Sequence, residues 1–142
     1  MDVLTTALMD RQPKEVTARE ERARDGKNAY ETAAEKAASL AGRELTEAQR
    51  KTAGLAVHWT LGVGSGIAYG ALRHTFPRLG LGSGLAYGTI FWLAMDEAAL
   101  TLLGVAPPPD RFPWQTHARG LAGHLALGAA IEAAFDLADL AE

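Results

Sequence analysis

After Lys51 this chain contains no further lysine, and its remainder is dominated by three long apolar stretches at 53–72, 80–105 and 120–140. A helix needs about 20 predominantly apolar residues to cross the hydrocarbon of a bilayer. The first stretch carries one ionisable side chain, His58, and the second carries only Asp96 and Glu97. The third holds His124, Glu132, Asp136 and Asp139, and its apolar residues are mostly alanine, so its signal is the weakest. Twenty of the 31 charged residues lie before position 53. A helix with a wet face carries polar residues along its whole length, so this partition predicts two materials in one chain. Residues 1–52 form a charged segment, and residues 53–142 form an all-α integral membrane bundle of three transmembrane helices. The connectors contain the expected breakers, Pro77 in the first and Pro107, Pro108, Pro109 and Pro113 in the second. Trp114 sits where an interfacial anchor belongs.

In the charged segment, residues 1–9 are apolar but too short to span. They read either as the end of a truncated fourth transmembrane helix or as an interfacial stub. No cleavable signal peptide is visible there, since a basic n-region and a small-residue cleavage site are both missing. Residues 14–50 predict a solvated or interfacial helix. Ala29, Ala33, Ala37 and Leu40 form a thin apolar stripe, and Glu31 and Glu35 can pair with Lys27 and Lys36. Thr46, with Gln49 three residues on, has the pattern of a capping box and is the expected start of the first spanning helix.

Composition narrows the function classes. The chain has no cysteine, which removes disulfides, thiolate metal sites and cysteine nucleophiles. A net charge of −3 offers no basic face to nucleic acid. The expected partners are the lipid bilayer and further copies of the chain.

Glycine recurs every fourth residue at Gly62, Gly66 and Gly70 and again at Gly80, Gly84 and Gly88. Small residues at that spacing let helix backbones approach closely in a bilayer. The two runs lie in near-copies, Gly-Ser-Gly-Ile-Ala-Tyr-Gly at 64–70 and Gly-Ser-Gly-Leu-Ala-Tyr-Gly at 82–88. An antiparallel hairpin would bring these two glycine faces together; alternatively, they serve a homo-oligomer.

The four-residue stripes continue into ionisable residues. The first reads Gly54, His58, Gly62; the second Gly88, Trp92, Asp96; the third Gly120, His124, Gly128, Glu132. Ionisable residues within spans almost always point inward. At 1.5 Å per residue, His58, Asp96 and His124 all lie roughly 6–12 Å from the same membrane side. Glu97 is adjacent and His117 stands at the mouth, so His58, Asp96, Glu97, His117 and His124 form the candidate cluster. Three roles fit it: interhelical hydrogen bonding, a proton or ion path, and a divalent metal held by His58, Asp96 and His124. No cofactor is otherwise expected. The glycine runs resemble phosphate loops only superficially, because no strand precedes them and no Gly-Lys-Ser/Thr comes after them. Ser65 and Ser83 lack the strand-to-helix turn of a nucleophile elbow. The expected protein is not an enzyme.

A set of ordered landmarks carries a family resemblance: His58, Phe76-Pro77, Leu103-Gly104-Val105-Ala106-Pro107-Pro108, Phe112-Pro113-Trp114, Gly123-His124-Leu125 and Ile131-Glu132. Over roughly residues 54–135 the chain resembles the YagU-like bacterial inner-membrane proteins, a domain of unknown function. The resemblance implies a multi-pass inner-membrane protein with a further helix near the N-terminus, where this chain has only residues 1–9. It implies a histidine at the position of Asp96, and it supplies no activity. The ten Lys and Arg of residues 10–52, against two in the first connector, favour a cytoplasmic N-terminal segment, whereas the resemblance places the corresponding loop outside. Two functions fit: a non-enzymatic structural protein supporting stress or pH homeostasis, and an oligomeric transporter or channel subunit for protons or metal ions.

Overall fold

The computed structural model describes residues 2–24 and 28–140; Met1 of the stub and Lys27 of the expected charge pairs lie outside the described residues. Among the described residues the chain is all helical, with no strand. The N-terminal segment forms three helices, α1 (Asp2–Asp10), α2 (Lys14–Arg24) and α3 (Ala29–Leu40). Residues 14–50 are therefore two helices and the start of a third, not one. Pro13 separates α1 from α2, and Asn28 starts α3, its side-chain oxygen accepting from the Glu31 backbone N–H at 2.8 Å.

Helix α4 (Glu47–Leu72) begins at the expected capping box: Thr46 accepts from the Gln49 N–H, and the Gln49 side chain accepts from the Thr46 N–H. After α4, a 3-10 turn at Pro77–Gly80 leads into three consecutive residues with positive φ, Gly82, Ser83 and Gly84 at 66°, 55° and 84°. Only then does α5 (Leu85–Trp92) begin. It continues without a break through a π-helical segment, Leu93–Ala99, into α6 (Leu100–Leu102). Gly104, at φ 62°, closes this rod in a Schellman arrangement, with Val105 N–H bonded to the Leu100 carbonyl and Gly104 N–H to that of Thr101. The last helix, α7 (Trp114–Asp139), comes directly after Pro113 and starts six residues before the expected 120.

The α5–α6 rod runs antiparallel to α7, and these two make the most extensive contact of the fold. Their stripes meet in four-residue register. Gly80 lies against Glu132, Gly84 against Gly128, Gly88 against His124, and Trp92 with Asp96 against Gly120. The hairpin of two glycine faces is therefore not what forms. Gly62 and Gly66 have nothing within 4 Å of where a Cβ would sit, and only Gly70 of that run meets a neighbour, the Phe135 ring. Helix α4 instead joins the pair through tyrosines. Tyr87 donates to the Ser65 carbonyl at 2.6 Å, Tyr69 donates to the Glu132 carboxylate, and the two rings meet edge to face at 4.9 Å. Helix α3 packs on α4 where Gly54 admits Glu31, and α1 packs on α7. In α3 the buried residue is Ala34, while Ala37 and Leu40 of the expected stripe are exposed.

Burial runs opposite to the usual order. The buried hydrophobic residues are Ala34, Tyr69 and Tyr87, beside buried Glu20, Ser65 and His124. Large apolar side chains lie outside: Leu55, Trp59, Val63 and Ile67 line one face of α4 at 58, 63, 59 and 68 % exposure. Among the described residues one helix, α7, is long and apolar enough to cross a membrane by length and composition, where the sequence led to an expectation of three.

Candidate functional site

The π segment sets the site. A π turn accommodates an extra residue in the helix and recurs at functional positions. Here it carries Asp96 and Glu97 side by side, and each meets a different histidine of α7, about two turns apart. Glu97 Oε1 lies 2.6 Å from His117 Nδ1, and Asp96 Oδ2 lies 3.7 Å from His124 Nδ1. Gly120, between the two histidines, leaves room for Asp96 and for the Trp92 indole.

Hydrogen bonding determines where protons can reside. His117 Nε2 is 3.0 Å from the Pro109 carbonyl, which can only accept, so Nε2 donates. One further proton is then shared at the 2.6 Å contact, either as imidazolium facing carboxylate or as neutral histidine facing carboxylic acid. His124 Nδ1 donates to the Gly120 carbonyl at 2.9 Å. In its neutral form His124 therefore keeps Nε2 as its basic nitrogen. Asp96 lies beyond hydrogen-bond reach of Nδ1 and is half-buried.

Asp96 borders three cavities, and two of them between them hold all five candidate residues. The larger, of about 350 Å³, lies between α4, the α5–π rod and α7, and is lined by His58, Asp96 and His124 together with Tyr30, Phe91 and Met95. The smaller, of about 200 Å³, is lined by Asp96, Glu97, Thr116, His117 and Trp92. Trp92 Nε1 and Thr116 Oγ1 are buried there without a protein hydrogen-bond partner, a lining that suits ordered water.

The fold thus brings all five candidate residues into the half of the bundle where α7 begins, as two histidine–carboxylate pairs about two turns apart, with His58 across the larger cavity. It does not gather them into one ligand shell. Among the described residues no group of three or more His, Asp or Glu side chains is arranged to hold a metal ion. Several contributors carried no sequence signal. Tyr30 of α3 meets the His58 ring edge to face at 4.9 Å, and Phe91 stacks obliquely on His124 at 5.5 Å. Arg119 of α7 is bonded to Glu20 at 2.5 Å and to Gln12, which ties the N-terminal helices to the mouth of the site. These pairs are far apart in sequence, and no periodicity relates them. At the other end of the bundle, Arg73 bridges Asp139 at 2.6 Å and lies over the Phe135 ring.

A family model described as a protein of unknown function, DUF1440, matches residues 34–133, more than half of the chain and including every candidate residue. No curated protein and no solved structure matches.

Proposed function

We propose that this chain, which belongs to the DUF1440 family of proteins of unknown function, is a multi-pass membrane protein without catalytic activity whose histidine–carboxylate cluster takes up and passes protons within the bilayer. The cavity beside Asp96 carries this reading. Helices held together only by hydrogen bonds would close on the bonded groups, whereas here about 350 Å³ stays open beside His58, Asp96 and His124. Asp96 borders that cavity and the smaller one that reaches Glu97 and His117. In this reading a proton shared by His117 and Glu97 passes by water in the smaller cavity to Asp96, and by water in the larger cavity from Asp96 to His58 or to the Nε2 of His124. Chains of Asp, Glu and His within spans mark such paths.

Support for several spans comes from α4 and the α5–α6 rod. The outward face of α4 is uncharged from Leu55 to Leu72, roughly 26 Å at 1.5 Å per residue. Thr60, one of its few polar groups, bonds back to the Ala56 carbonyl. The rod from Leu85 to Leu102 and helix α7 complete three crossings, with residues 1–52 as a charged cap. In this reading the protein sits in a bacterial inner membrane, as the YagU-like resemblance implies, and serves pH homeostasis under stress. Three helices enclose little lumen, so conduction across the whole membrane takes a homo-oligomer, and the unpartnered Gly62 and Gly66 edge of α4 suits contact between copies.

Proteoliposomes containing a pH-sensitive dye test this. The wild-type protein should carry protons under an imposed potential, and Asp96→Asn and His124→Ala should fall to the rate of empty vesicles while assembling normally. Background flux from well-folded wild-type protein would refute the proposal. That result would leave the reading in which the pairs only hold helices together, which the close His117–Glu97 contact favours; that reading expects the same substitutions to weaken assembly.

A further inference from the structure

We infer that the larger cavity binds a small lipophilic organic cation, an ammonium or similar onium group on an apolar body, with the charge beside Asp96. The inference rests on the proton-handling reading of the same cavity and names what the proton exchanges against. Size is the first argument, since about 350 Å³ lies within the range of small-molecule sites. Chemistry is the second. Three aromatic residues, Tyr30, Trp59 and Phe91, line the cavity with one carboxylate and with neither lysine nor arginine. A carboxylate among aromatic rings attracts a cation and repels an anion. Access is the third. Trp59 and Val63 both border the cavity and belong to the exposed apolar face of α4, so it opens where lipid would lie. A ligand reaching it from that side must first partition into the bilayer, which selects an apolar body.

Proton and cation would compete for Asp96. The groups facing it are His124 at 3.7 Å on α7, His58 across the cavity on α4, and Glu97 beside it on its own helix. His117 and Arg119 of α7 and Arg24 of α2 share the other spaces that Asp96 borders. Both arginines are bonded to buried Glu20, and Arg24 also acts on Asp96 through space, a fixed charge that the bound cation adds to. Protonation of Asp96 removes the attraction, and protonation of His58 or His124 adds repulsion. Every titration in the cavity therefore acts in the same direction, and cation affinity rises with pH.

The test is binding of benzyltrimethylammonium to detergent-purified full-length protein by calorimetry, beside neopentylbenzene, its uncharged isostere. The cation should bind at least tenfold more tightly than the isostere and at least tenfold more tightly at pH 8 than at pH 5. Asp96→Asn should lose tenfold or more. Trp59→Leu, at a largely exposed position, should fold normally and lose several-fold. Equal affinity for the isostere, or pH-independent binding, would overturn the inference with no variant needed. Displacement by phosphatidylethanolamine but not phosphatidylglycerol would identify a lipid ammonium as the source, and displacement by neither a free cation. Proton flux measured on the same preparation separates the two readings. Flux without cation binding removes the ligand alone, and binding without flux removes the proton relay and leaves the site.

Discussion

A methyl group added at Gly88 would occupy the space of the His124 carbonyl oxygen, and one at Gly84 that of the Gly128 carbonyl. Backbone cannot step aside as a flexible side chain can, so the helices themselves must separate. Gly88→Ala should cost about 1–3 kcal/mol, the usual scale of overpacking. Gly66→Ala meets nothing within 4 Å inside the chain, so the monomer should be unaffected or gain up to about 1 kcal/mol from helix propensity, with any loss confined to contact between copies. Thermal melts of the two variants in one detergent check this, and an equal loss at both positions would mean that the first glycine run is packed after all. The four-residue spacing placed His58, Asp96 and His124 on the stripes of their helices, because helical periodicity dictates which face a residue occupies, and in the structure all three line one cavity. It could not say which face meets which, because Gly62–Gly70 and Gly80–Gly88 carry the same pattern. The partner of both Gly84 and Gly88 is α7, whose Gly128 and His124 were legible as a stripe but not as a destination. Tyr30 was not legible at all, since it reaches His58 from a different helix.

The two near-identical heptads show that context sets an element's boundary. Residues 64–70 lie inside α4, where the preceding turns already supply hydrogen bonds, while residues 82–88 come after Pro77 and begin with a left-handed turn. Helix propagation favours the first, and glycine's freedom at positive φ permits the second. The start of α4 was legible because a capping box is a local signal. Thr46→Ala should cost about 1 kcal/mol and fray the first turn, read as faster amide exchange near Arg50. In that turn the Lys51 ammonium beside Glu47 holds its carboxyl below the usual range. A lowered carboxyl contributes above its ordinary value near 4.5 and loses that contribution as pH falls through its folded value. Both groups are exposed, so the effect is small and confined to strongly acid conditions. The π segment was not legible, since nothing in Leu93–Ala99 marks an extra residue. Deleting Ala94 should return it to α geometry and shift Asp96 and Glu97 around the helix relative to the Gly84–Gly88 contact. The expected variant melts within a few degrees of wild type yet loses proton flux; retained flux would show that the π turn does not position the carboxylates.

At the scale of the whole molecule, the exposed apolar face of α4 and the polar interior belong together. Buried His124 and Ser65 are bonded to backbone carbonyls of their own helices, while Leu55, Trp59, Val63 and Ile67 turn their apolar surface outward. Scattered exposed apolar residues are ordinary on any protein, but a continuous uncharged face over more than four turns marks a surface made for lipid or another protein. The absence of cysteine makes the distinction measurable. Single cysteines at Val63 and Ile67 should resist a membrane-impermeant maleimide in sealed vesicles and react once the vesicles are dissolved and the protein is unfolded in denaturant. Glu44 and Asp110 both lie at the end of the bundle where α4 and α7 begin, and Arg78 lies at the end where α4 stops. Three crossings therefore require cysteines at 44 and 110 to label from one side of the membrane and one at 78 from the other. Labelling of all three from one side, with 63 and 67 also reactive, would mean that α4 and the α5–α6 rod lie outside the hydrocarbon and that α7 alone meets it. The same experiment orients the protein. If 44 and 110 label from the cytoplasm, the lysine and arginine excess of residues 10–52 governs topology. If they label from outside, the glutamates and aspartates among those residues, or the packing of α1 and α3 on the spans, must outweigh it.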